Sequence, residues 1–150
     1  MQYSQGNIGR VFTVRLDQGD DILQELEGLA ISENIKSAMF MMLGAVKEAS
    51  LVVGPKENVV PPDPQWARIK DVHELIGIGN IFRETETGKP KVHLHSAAGR
   101  GDSVKTGCLR ESSEVFMVVE IFIMEICGIS ASRIFDPDRG FAPVSFPDES

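Results

Sequence analysis

The residues best suited to chemistry are His93 and His95, on either side of Leu94. Side chains two apart in a strand leave from the same face. Val92 and Leu94 are therefore expected to face the core, with both imidazoles side by side on the other surface. Two neutral imidazoles at that spacing form half of a metal site, because imidazole is the commonest protein ligand for Zn(II) and similar ions. A third donor has to come from a neighbouring strand or turn. Cys108 is the leading candidate, since the polar stretch before it can fold the chain back and bring Thr106-Gly107-Cys108-Leu109 opposite the pair. A zinc site with two His and one Cys keeps a fourth position for water, an open catalytic arrangement rather than a closed structural one. The competing reading is a polar pair on an exposed strand, with Cys108 as a small buried hydrophobe.

Three carboxylates are candidates for general acid/base work, or for holding a ligand imidazole from behind: Glu74, Glu114 and Glu120. Glu120 interrupts an apolar run and is expected to be partly buried, or to reach an edge and pair with an arginine. His73 reads as a satisfied surface or core histidine and Cys127 as core. Met39, Met41 and Met42 read as core filler ahead of a soft Cu(I) site. No phosphate-binding G-x-x-x-x-G-K-[ST] loop occurs, and Gly77-Ile78-Gly79 lacks the third glycine and following helix of a dinucleotide fingerprint. There is no serine nucleophile elbow. Gly99-Arg100-Gly101 is followed by Asp102 in surroundings that are not basic, so it does not make an AT-hook.

The elements that must position these residues follow from periodicity. Residues 9–16 alternate as a strand. Gly19-Asp20-Asp21 opens a helix with Asp20 as N-cap, and Ile22, Leu23, Leu26, Leu29 and Ala30 form its apolar stripe. Gly28 is a weak spot inside that helix or marks its end. Residues 35–46 fit a buried strand or a second helix; Gly44 favours a strand that bends and continues through Leu51-Val52-Val53. Residues 54–65 form a proline-rich loop, 73–82 a strand, 84–90 a charged turn and 91–98 a strand. Residues 99–107 read as a polar connection, a hairpin, and a second short turn lies between Leu109 and Ser112. Residues 115–127 are apolar at both parities, as in a strand buried on both faces. The tail is irregular apart from a short edge strand at its end. The expectation is one α+β domain over 1–150, with its core at about 9–127. Its sheet is mostly antiparallel or mixed, with one or two packed helices.

Composition narrows the function. The 150 residues carry 15 Lys+Arg against 22 Asp+Glu, a net charge of −7, and 42% are hydrophobic. Disorder is excluded by the apolar content and a membrane helix by the lack of about 20 consecutive apolar residues. Two cysteines and no visible signal peptide point to a reducing cytoplasm. The acidic balance opposes nucleic acid.

Several short motifs occur together in one order: Gly19-Asp20-Asp21-Ile22, Gly44-Ala45-Val46, Glu74-Leu75-Ile76-Gly77 with Gly79-Asn80-Ile81, Val92-His93-Leu94-His95, and Gly107-Cys108-Leu109. From about Gly9 to Ile126 the chain resembles the PPC (plants and prokaryotes conserved) domain. That resemblance implies an α+β fold assembled as a homotrimer and similar in architecture to acetolactate decarboxylase, a zinc enzyme. Plant members bind AT-rich DNA through an AT-hook outside this domain and use the domain for trimer formation and partner contact. Prokaryotic members are usually the bare domain. Family members show His-x-His followed by Gly-Gly-His-Leu, whose histidine completes a three-histidine metal site. Here Thr106-Gly107-Cys108-Leu109 stands in its place, so the implied zinc site would have an altered donor set of His93, His95 and Cys108. Asp71-Val72-His73-Glu74 keeps only the glutamate of the plant Gly-Arg-Phe-Glu motif.

Three functions compete. The first is a homotrimeric metal-binding protein with a small-molecule ligand at the metal. As an enzyme it would do metal-dependent lyase or hydrolase chemistry on a small carbonyl or carboxylate substrate. The second is a DNA-binding or DNA-associated regulator. A trimer would carry a formal charge of about −21, three times −7, which repels phosphate more strongly. The third is a trimeric scaffold for partner recruitment.

Overall fold

A computed structural model describes residues 1–146. Eight strands and one helix follow in the order β1 (Asn7–Asp17), α1 (Ile22–Ser32), β2 (Ser37–Pro55), β3 (Pro64–Ile69), β4 (His73–Arg83), β5 (Pro90–Arg100), β6 (Ser103–Cys127), β7 (Ser132–Arg133) and β8 (Val144–Ser145). The fold is α+β, a mostly antiparallel sheet with a single short helix. Within the region 35–46, residues 37–46 are strand rather than helix, and they continue as expected into one long β2.

The main sheet runs β1-β6-β5-β4-β2-β3, and β6 also pairs with β2, so the sheet closes on itself. What permits closure is the bending of β6. Its register against β2 shifts between Arg110 and Ser113 and again between Phe116 and Val119. Glu111 and Met117, inside those two irregularities, have φ of 58° and 59°. Extra residues in one strand bend it and sharpen its twist. Opposite the second irregularity is Gly44 at φ 149°. A Cβ there would strike the Val118 carbonyl oxygen and the Val119 backbone, so the bend requires glycine.

Two expectations about this strand are corrected. Residues 103–107 and 109–112 belong to β6, so the hairpin turn is only Gly101-Asp102. The stretch 115–127 is buried on one face: Val115, Val119, Ile121 and Ile123 are in the core, while Met117, Glu120 and Phe122 are exposed. Strand β3 lies partly within the expected proline loop, at an edge of the sheet where its donors are dispensable.

The helix packs on β5 and β6, burying Ile22, Leu26 and Ala30 against a core that includes Phe40, Leu51, Leu94 and Ile121. Leu23 and Leu29 pack at its margin, and Gly28 lies within the helix on its exposed side. The N-cap is Asp21, not Asp20. One carboxylate oxygen of Asp21 accepts from Gln24 N at 3.0 Å and the other from Ser113 N at 2.9 Å. That second bond ties the helix start to the first irregularity of β6. Asp20 instead accepts from Asp17 N at 2.8 Å. Of the three methionines only Met42 is core; Met41 is exposed and Met39 half-buried. Cys127 is exposed rather than core. No helix among the described residues is long and apolar enough to cross a membrane.

Candidate metal centre

Strand β5 alternates as its sequence requires. Val92, Leu94, Ser96 and Ala98 are buried, while His93 is half-buried and His95 exposed on the opposite face. Neighbouring strands leave room for that alternation. Gly79 lies opposite Leu94, where a Cβ would collide with the Phe40 ring and the His93 carbonyl oxygen. The two imidazoles meet edge to face, ring centroids 5.0 Å apart at 77°. The tight turn at Gly101-Asp102 brings β6 back so that Cys108 pairs directly with His95. Residues paired in register share a face, and the donor atoms of His93, His95 and Cys108 all lie within 4.8 Å of one another.

Electrostatics at the cluster is set by burial and by arginines. The His93 imidazole is lowered from 6.5 to about 4, first by burial and then by Arg133, Arg110 and His95. It is thus neutral, with a free lone pair, at ordinary pH. Burial raises the Cys108 thiol above its ordinary value, with Arg110 pulling partly the other way. The thiol needs a metal or a base to ionise.

Beside the cluster is a pocket of about 590 Å³, a size typical of small-molecule sites. His93, His95 and Cys108 share it with Arg110, Arg133 and Glu84. Sequence reasoning missed the last three. Arg110 was within reach, because two residues beyond Cys108 on one strand is a same-face position. Arg133 and Glu84 come from the tail and the β4–β5 turn, where no periodicity marks them.

The three carboxylates named from sequence do not meet the cluster's pocket. Glu74 pairs with Ala45 and Gly99, four residues along β4 from the partner of His95, about 13 Å at strand spacing. Glu114 is held by Lys47 at 3.1 Å. Glu120 is exposed and pairs in register with Arg15 and Leu43, and no ion pair holds it among the described residues. Glu84 is the acid that lines the pocket. His73 is satisfied by the Asp71 carbonyl oxygen at 2.8 Å.

Residues 3–127 match the model of the Plants and Prokaryotes Conserved (PCC) domain. Among solved structures, a metal-containing protein from Archaeoglobus fulgidus is similar at 26% identity and TM-score 0.83, over 95% of this chain and 98% of its own. A "Putative DNA-binding protein" from Ralstonia eutropha JMP134 is similar at 25% identity and TM-score 0.74, over 90% of each chain. Acetolactate decarboxylase from Bacillus subtilis strain 168 shares the fold at 15% identity and TM-score 0.54, over 91% of this chain and 61% of its own. No curated protein matches.

Proposed function

The chain belongs to the Plants and Prokaryotes Conserved domain family, and from that premise we propose that it is a metal-binding member, with His93, His95 and Cys108 as ligands. The observation that carries this reading is the convergence of the three donors to within 4.8 Å. The donor set fits zinc: tetrahedral Zn–N and Zn–S bonds bring donors to about 3.3–3.6 Å from one another, within reach of small side-chain rotations. A neutral His93 and an ionisable thiol are the states that zinc takes up. The similar protein from Archaeoglobus fulgidus is metal-containing, which agrees with this. Three protein ligands leave room for a small molecule or water, where a bound zinc would act as Lewis acid.

The reading includes a homotrimer. Its support is the outer sheet face, where Ile76 is 65% exposed and Ile78 63% exposed beside exposed Met41, Leu43 and Phe122. An apolar patch of this kind marks a contact surface. DNA association is the second reading, favoured by the name of the Ralstonia protein and opposed by the charge of −7. A gel shift at low salt separates them: retardation with steep salt dependence supports DNA binding.

Metal analysis of protein purified without added zinc tests the main reading. Stoichiometric metal, lost in His93→Ala, is the expected result. A metal-free wild type that takes up no added zinc overturns it.

A further inference from the structure

We propose that the pocket beside the cluster receives a small oxyanion, a carboxylate or phosphate group, held by Arg110 and Arg133 and walled by the C-terminal segment. This rests on the metal reading only for what the bound group would face across the pocket.

Charge is the first argument. In a chain of net charge −7, the pocket is lined by three cations, Lys91, Arg110 and Arg133, against one acid, Glu84. The state of Arg133 is the second. It is 7% exposed, yet its guanidinium meets only neutral acceptors: Nη1 donates to the Ala142 carbonyl and Nη2 to Asn80 Oδ1, both at 2.7 Å. Its Nε is buried without a partner. Neither Arg133 nor Arg110 joins an ion pair among the described residues. Buried guanidinium is normally matched by a carboxylate or phosphate, for which its planar fork is suited. Desolvated positive charge left unmatched is costly.

The wall is the third argument. Phe135, Phe141, Pro143 and Val144 line the pocket and lie beyond residue 127, the last residue of the family match. The segment is pinned in place. Thr85 N donates to the Arg133 carbonyl at 3.0 Å, Arg133 itself reaches Ala142, and β7 pairs with β8. A cationic floor with an apolar wall suits an organic anion with a short apolar body. The residues that would choose the ligand therefore come both from the matched family domain, in Arg110, and from the segment beyond it.

The test titrates the full chain with inorganic phosphate and, separately, with lactate, each in zinc-loaded and chelator-treated protein, by calorimetry. Saturable binding of at least one probe is expected. It should persist in Cys108→Ser, which loses the metal, and weaken about ten- to a hundred-fold in Arg110→Met, the loss of one charged hydrogen-bonding partner. Arg133→Met should weaken it similarly, with Arg133→Lys restoring part of the affinity. A preference for lactate identifies a carboxylate ligand, and for phosphate a phosphorylated one. Absence of binding by both probes in both forms overturns the proposal, as does binding unchanged in both methionine variants. Failure of the metal reading alone would look different: no zinc uptake, with anion binding intact.

Discussion

The two faces of β5 obey different rules. Inward, Val92, Leu94, Ser96 and Ala98 are all buried, and their identities answer to volume and packing. Outward, His93 and His95 answer to donor atoms and to the strands that bring Cys108 beside them. One position of sequence separates the two. A substitution at Leu94 should therefore damage stability, and one at His93 should damage the chemistry.

The largest expected effect is on the inner face. Leu94 is fully buried, so Leu94→Ala should cost about 2–5 kcal/mol in unfolding free energy, the lost transfer term plus the cavity. Denaturant titration of metal-free protein measures it. His93→Ala should change the same quantity by less than about 1 kcal/mol, but lower zinc affinity by about 100-fold or more, since even partners behind the ligands are worth 10–100-fold. If His93→Ala were as destabilising as Leu94→Ala, the division between the faces would fail.

Protons sharpen the comparison on a smaller scale. The unfolded chain protonates His93 near 6.5, whereas the folded chain waits until about 4. Between those values the unfolded state binds more protons, so metal-free stability falls as pH drops from about 6.5 to about 4 and this group adds nothing further below. His93→Gln should flatten that part of a urea-midpoint profile. Cys108 behaves in the opposite sense, because burial keeps its thiol protonated. Zinc binding at pH about 8 should release about one proton, and affinity should rise with pH. Cys108→His should bind zinc without that release. Calorimetry in two buffers of different ionisation enthalpy reads the difference.

The face rule explains what was legible in the sequence. Alternation in 91–98 predicted which β5 side chains share a surface, and the polar turn predicted that Cys108 returns to the pair. The long strand β6 reads as separate pieces because its first irregularity carries the polar residues Glu111-Ser112, which mimic a turn when no partner strand is visible. Its apolar outer residues imitated core, since hydrophobicity does not say what will cover it. Arg133 and Glu84 reach the pocket by tertiary contact alone, so local pattern carried no trace of them.

The smallest stability effect belongs to the apolar outer face. Ile76 points outward one register row beyond His95, at 65% exposure, paired with Leu43 and Ala97. Ile76→Lys should leave single-chain stability within about 0.5 kcal/mol and leave zinc content unchanged, because Ile76 is neither a core residue nor one of the three donors. It should still break the proposed trimer, since assembly would bury an ammonium group against apolar neighbours without a partner. Sedimentation reads the outcome directly. A trimeric wild type and a monomeric Ile76→Lys of equal metal content would mean that this face serves assembly and that each subunit holds its metal alone. A variant that stays trimeric would move the interface elsewhere, and a variant that loses metal along with its partners would show that the centre depends on the neighbouring subunit.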